Sequence, residues 1–136
     1  MHPIKTYIVE DSQVIRESLI ATLEELVPMV VVGTAEDEAT AVQWLTRPAN
    51  TVDLVIVDIF LKKGSGLGVL RATQARSDLR KIVVLSNYAT VDIRRKCLEL
   101  GANRVFDKSN EIDGLIAYCE ALASDDPAPA GTEVPP

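Results

Sequence analysis

The sequence predicts an α/β fold: a five-stranded parallel sheet, expected in the order 2-1-3-4-5, with helices on both faces. Two observations carry this. Short apolar runs alternate along the chain with segments whose apolar residues recur at helical spacing. The third of the apolar runs, DLVIVDIF, is apolar at consecutive positions until Asp58, as a strand covered on both sides must be.

The elements follow in order. IKTYIV, residues 4–9, reads as a short buried strand. DSQVIRESLIATLEEL follows as a helix with Ile15, Leu19, Leu23 and Leu26 on one stripe; Asp11 or Ser12 can cap it and Pro28 stops it. MVVVGTA, 29–35, is the second strand, and EDEATAVQWL, 36–45, the second helix. Pro48 and Asn50 break the chain before the third strand, 53–60. KKGSG is a loop with two glycines, and LGVLRATQA, 67–75, is the helix after it. KIVVLS, 81–86, is the fourth strand; TVDIRRKCLELG is a helix with Gly101 as its C-terminal cap. NRVF, 103–106, is a short fifth strand and NEIDGLIAYCEALA, 110–123, the last helix. SDDPAPAGTEVPP has the Pro, Gly, Ser and acid content of a disordered tail. One domain over 1–123 and a disordered tail over 124–136 are therefore expected, with no internal repeat.

Composition narrows the function. The chain has 136 residues, suited to a single domain, and is 47% hydrophobic but only 4% aromatic, so its core is Val, Leu, Ile and Ala. A net charge of -6 argues against a nucleic-acid-binding surface, which is usually basic. Cys97 and Cys119 form no CxxC and sit in helical patterns, which suggests buried, reduced thiols in a cytoplasmic protein. No apolar run approaches the ~20 residues that span a bilayer, and the N-terminus lacks a signal-peptide layout. The single histidine, His2, sits in the N-terminal tail, which leaves no histidine for catalysis or metal binding in the body of the domain.

Ligands of such folds bind beyond the carboxyl ends of the strands, where the strand order reverses. The first strand ends at Glu10 and Asp11, the third near Asp58, the fourth at Ser86, and the fifth is followed by Asp107 and Lys108. With strands 1 and 3 adjacent, Glu10, Asp11 and Asp58 converge, beside Ser86 and Lys108. Crowded carboxylates repel and have raised pKa values unless a cation intervenes. Oxygen-only ligation by few protein groups suits Mg²⁺, which keeps several waters. Three acids, one Mg²⁺ and Lys108 sum to zero charge, with coordination positions left open for an anion such as phosphate. Taken singly, each residue has a plain structural role as a turn acid, a helix cap, a strand end or a surface lysine; their order at four strand ends is what points to a site.

In that order the sequence resembles the receiver domain of bacterial two-component response regulators, a flavodoxin-like (βα)5 fold. The residues that carry the resemblance are Glu10-Asp11, Asp58 in DLVIVDIFL, Ser86 in VVLS and Lys108 in FDKS, supported by the spacing from Asp58 to Gly66 and by ELGAN, and they span about residues 4–123. The resemblance implies that Asp58 accepts a phosphoryl group from the phosphohistidine of a histidine kinase or phosphotransfer protein. It implies Mg²⁺ held by Glu10, Asp11, Asp58 and the backbone carbonyl of Phe60, with Lys108 countering charge and Ser86 bonding the phosphoryl group. It further implies a shift of the helix 4–strand 5–helix 5 face, a surface that in this family can also form a homodimer, and output to a downstream protein target. No DNA-binding or enzymatic segment follows the domain in the sequence, so output through protein contacts, without DNA or membrane binding, is expected unless the sequence is a piece of a longer regulator.

Three departures from the family pattern stand out. Lys62 replaces a common proline, and the Lys62-Lys63 pair makes this loop basic, either simply solvated or turned toward an acidic partner or phosphate. Val105 occupies the place of a switching Tyr or Phe, and strand alternation puts its neighbour Phe106 on the opposite face. Phe60 and Tyr88 stand two residues beyond Asp58 and Ser86, where two bulky rings would shield an acyl phosphate from water; the plainer role for Tyr88 is an outward partner contact. Arg94, Arg95 and Lys96 form a basic run on helix 4, either a solvated face or a docking surface. Two other readings compete. A phosphorylation-independent pseudo-receiver sits poorly with the intact acid set, and an aspartate-nucleophile phosphatase would want an acid where Phe60 stands.

Overall fold

The computed structural model describes residues 3–74 and 80–124. Strands β1 (Ile4–Val9), β2 (Met29–Ala35), β3 (Leu54–Val57), β4 (Lys81–Ser86) and β5 (Arg104–Asp107) alternate with helices α1 (Gln13–Leu26), α2 (Glu38–Leu45), α3 (Gly66–Thr73), α4 (Val91–Glu99) and α5 (Ile112–Ser124). The strands form one parallel sheet in the order β2-β1-β3-β4-β5. The chain steps one way from β1 to β2 and then reverses for β3, β4 and β5. Right-handed crossovers therefore send α1 to one face and α2, α3 and α4 to the other.

Two apolar layers reflect this. Alternate strand residues Tyr7, Val9, Val55, Val57, Val84 and Val105 pack with Ala41, Leu45, Val69, Leu70 and Cys97 of α2, α3 and α4. The intervening residues Ile8, Leu54, Ile56, Val83, Leu85 and Phe106 pack with Leu19, Leu23, Leu115 and Cys119 of α1 and α5. All four residues of β3 are buried, as a central strand covered on both faces requires. Phe106 lies on the α1–α5 side and Val105 on the other, as alternation predicted. Both cysteines are free and buried, and burial, with a smaller effect of the Glu120 charge, pushes the Cys119 thiol up to about 12.

Several boundaries are sharper than the sequence implied. Of the stripe on α1, only Leu19 and Leu23 are buried; Ile15 is 40% and Leu26 51% exposed. Periodicity marks which side of a helix faces the sheet, not how deeply each turn sits. β3 stops at Val57, before Asp58, and α3 begins at Gly66; the expected helix position Ala75 lies outside the described residues. Gly101 follows the end of α4 at φ 104°, a left-handed conformation that favours glycine, as its capping role required. Apart from Ser124, the last residue of α5, the expected tail 124–136 lies outside the described residues.

Candidate functional site

The register of the sheet brings the candidate residues together. Val9 pairs with Val57, so Glu10 and Asp58 leave adjacent strands side by side, and the Asp58 N–H donates to the Val9 carbonyl at 3.0 Å. Ser86 pairs with Asp107, and the Lys108 N–H donates to the Ser86 carbonyl at 2.9 Å. Four strand ends thus open onto one rim.

Glu10, Asp11 and Asp58 each direct a carboxylate oxygen into a space where these oxygens lie within 4.8 Å of one another. The Lys108 ammonium donates to Glu10 Oε1 at 2.7 Å and to Asp58 Oδ2 at 2.9 Å. Main-chain donors fix the other oxygens: Ser12 N–H donates to Glu10 Oε2, Phe60 N–H to Asp58 Oδ1 and Lys62 N–H to Asp11 Oδ2. Of the two residues able to cap α1, Ser12 does so, accepting from the Ile15 N–H, while Asp11 is turned toward the loop after β3.

Three carboxylates and one ammonium in a largely buried setting leave negative charge in excess. Burial is the main cause that pushes the Glu10 carboxyl above its usual range, against the hydrogen bonds it accepts from Lys108 and the Ser12 N–H. Burial pulls Lys108 down, but its hydrogen bonds to Glu10 and Asp58 and their charges outweigh this and hold the ammonium above its ordinary value. Hard oxygen donors, fixed by backbone hydrogen bonds and deficient in positive charge, fit a small divalent cation such as Mg²⁺.

The surroundings are equally specific. The Ser86 side chain is fully buried and its Oγ accepts from the Tyr88 N–H at 3.2 Å, leaving the hydroxyl proton available. The rings of Phe60 and Tyr88 meet edge to face, centroids 5.4 Å apart, and both are substantially exposed. The Lys62-Lys63 loop is tied down by its backbone. Besides Lys62 N–H to Asp11, Glu38 accepts from the Ser65 N–H at 2.9 Å and donates its own N–H to the Lys63 carbonyl. Gly64 sits in that loop at φ 81° with the Glu38 side chain against it.

Sequence reasoning missed three residues here. Arg16 holds the Glu10 carbonyl from behind at 2.8 Å and pairs with Glu36. Glu38 staples the loop after β3. Arg94, read as part of a basic run, is instead turned inward onto Ala89, Val105 and Glu111. None of these contacts has a periodic signature.

The sequence matches the family profile of the response regulator receiver domain over residues 6–120. The chain belongs to the response regulator receiver family. Among relatives of this receiver domain is a probable transcriptional regulatory protein of Picosynechococcus sp., 33% identical over 120 residues, covering 85% of this chain and 47% of that protein. Similar folds are seen in a LuxR-family DNA-binding response regulator from Staphylococcus aureus (TM-score 0.77, 16% identity, 89% of this chain and 99% of that one). A response regulator from Burkholderia pseudomallei, whose crystal structure has a phosphorylated aspartic acid, a calcium ion and citrate, is also similar (TM-score 0.74, 22% identity, 97% of this chain and 75% of that one). The chain spans half or less of the length of several curated relatives that it matches. No helix among its described residues is long and apolar enough to cross a membrane.

Proposed function

We propose that this receiver domain is a phosphoacceptor switch with Asp58 as the acceptor. The observation that carries the reading is the Lys108 ammonium bonded to both Glu10 and Asp58 beside three converging carboxylate oxygens. An Asp58 oxygen attacks the phosphorus of a phosphohistidine on a histidine kinase or phosphotransfer protein. The new O–P bond forms as the P–N bond breaks, and the imidazole nitrogen keeps the electron pair. Glu10, Asp11, Asp58 and the Phe60 carbonyl would hold Mg²⁺, which supplies positive charge to the transferring phosphoryl oxygens. Lys108 adds a second positive charge on the Asp58 side, and the Ser86 hydroxyl donates to a phosphoryl oxygen while still accepting from Tyr88. The phosphorylated Burkholderia pseudomallei protein supports the reading by likeness of fold.

In this reading the domain occupies 1–123 with a tail over 124–136, acts in the cytoplasm, and signals to a downstream protein target through the α4–β5–α5 face, which can also serve a homodimer. DNA and membrane contacts play no part in the proposal, nor does turnover of a small substrate; only its own phosphorylation and dephosphorylation are involved. Phe60 leaves no acid where a phosphatase would need one. The phosphorylation-independent alternative has no observation in its favour, because the acids, Ser86 and Lys108 are all in place. The test is incubation with acetyl phosphate and Mg²⁺ followed by intact-mass measurement. A Mg²⁺-dependent gain of one phosphoryl group, absent in Asp58→Asn, is the expected result; no gain at saturating donor would refute it.

A further inference from the structure

Arg94 is the fourth residue of α4, yet its guanidinium is spent on other elements. Nε donates to the Ala89 carbonyl at 2.9 Å, Nη1 to the Val105 carbonyl at 3.0 Å and Nη2 to Glu111 Oε1 at 2.8 Å. The planar fork of arginine suits three acceptors held in fixed directions, which a lysine cannot reproduce. The three acceptors belong to the loop before α4, to β5 and to the approach to α5.

Each contact lies one short step from the site. Glu111 Oε1 also accepts the Asp107 N–H at 2.8 Å, and Asp107 immediately precedes Lys108. Ala89 follows Tyr88, whose N–H is bonded to Ser86 Oγ. Lys108 N–H closes the ring onto the Ser86 carbonyl. Hydrogen bonding from Arg94 first, then from the Asp107 N–H, holds the Glu111 carboxyl below its usual range. The Val105 carbonyl is the point at which Arg94 itself holds β5.

We propose that Arg94 is a positioning residue that latches the β4–α4 loop to β5 and α5 in the resting form, and so couples occupancy of Asp58 to the α4–β5–α5 face. The inference rests on the phosphoacceptor reading above. When the Ser86 hydroxyl is drawn to a phosphoryl group, Ala89 moves with its loop, and one rigid fork cannot follow it while keeping Val105 and Glu111. The latch therefore stabilises the resting form alone, and its loss shifts the population toward the active form.

The test is a beryllium fluoride titration in Mg²⁺ of the wild type, Arg94→Ala, Arg94→Lys and Glu111→Gln, followed by the amide resonances of Ala89, Val105 and Asp107. Loss of the latch is expected to tighten apparent beryllofluoride affinity by roughly two- to thirtyfold. The unliganded Arg94 variants should already show part of the amide shift that beryllofluoride causes in the wild type. Glu111→Gln, which keeps an acceptor for the Asp107 N–H, should give a smaller change in the same direction. Unchanged or weaker affinity in Arg94→Ala, even with a lower melting temperature, would overturn the latch, as would a wild-type midpoint in Arg94→Lys. A wild-type protein that takes up no beryllofluoride would instead sink the phosphoacceptor reading on which the latch depends.

Discussion

Gly66 opens α3 directly beneath the acceptor, and replacing it with alanine should perturb Asp58 more than its small size suggests. Its φ is not positive, so the backbone itself tolerates a side chain. The obstacle is space. An alanine Cβ would press on the Asp58 carbonyl oxygen and lie 2.8 Å from the Ile59 Cα and 2.9 Å from the Asp58 carbonyl carbon. Favourable carbon contacts begin near ~3.5 Å, and all three neighbours are main chain, with no rotamer to change. The acceptor segment must move, and overpacking of this kind costs about 1–3 kcal/mol. Because a misplacement of ~1 Å at a reacting group can cost about a hundredfold in rate, modification of Asp58 should slow by roughly ten- to a hundredfold. Gly68→Ala is the control. There the atoms nearest the new Cβ are the carboxylate end of Glu38, which can swing away. Losing the Ser65-to-Glu38 hydrogen bond costs about 1 kcal/mol, and replacing a helical glycine returns about 0.5–1 kcal/mol, so the net change is near zero. Urea unfolding of the two variants, with rates of modification by acetyl phosphate in Mg²⁺, checks both halves. A Gly66→Ala protein within ~0.5 kcal/mol of wild type and modified at the wild-type rate would refute the reasoning. So would equal damage from Gly68→Ala.

Four further outcomes are expected. Lys108→Ala strips Glu10 and Asp58 of their cation and should lower stability by about 3 kcal/mol in chelator, with excess Mg²⁺ restoring more to the variant than it adds to wild type; equal increments in urea unfolding would contradict this. Phe60→Asn combined with Tyr88→Ala opens the edge-to-face pair over the site, so phosphate loss from modified protein should speed up several-fold; an unchanged lifetime excludes shielding. Leu70→Ala empties a fully buried position and should cost about 2–5 kcal/mol in urea unfolding. Glu111, with its folded pKa lowered, contributes stability that is present above its unfolded value of about 4.3 and lost as pH falls through its lower folded value. Glu111→Gln should therefore lose stability at neutral pH relative to wild type and show a flatter acid limb; parallel profiles would disprove the linkage.

Much of this was legible in the sequence because it is local or periodic. The apolar runs locate the strands, and alternation alone separates Val105 from Phe106 onto opposite faces of β5. The acids at the ends of β1 and β3, with Ser86 and Lys108, were readable because strand ends of a parallel sheet share one rim. Helix spacing selected the correct side of α1 but overstated its depth at Ile15 and Leu26. The same spacing treated Arg94 as one of three equivalent bases.

Composition and periodicity thus determined the element order, the two-faced core and the acid-lined rim, since each depends on residue type and on spacings of a few positions. The tertiary structure alone decided how that rim is wired. Lys108 reaches Glu10 across 98 residues and Asp58 across 50, Lys62 N–H reaches Asp11 across 51, and Arg94 reaches Glu111 across 17. Such contacts are fixed by sheet register and loop path, and a directional hydrogen bond between distant segments leaves no repeat in the chain from which it could be read.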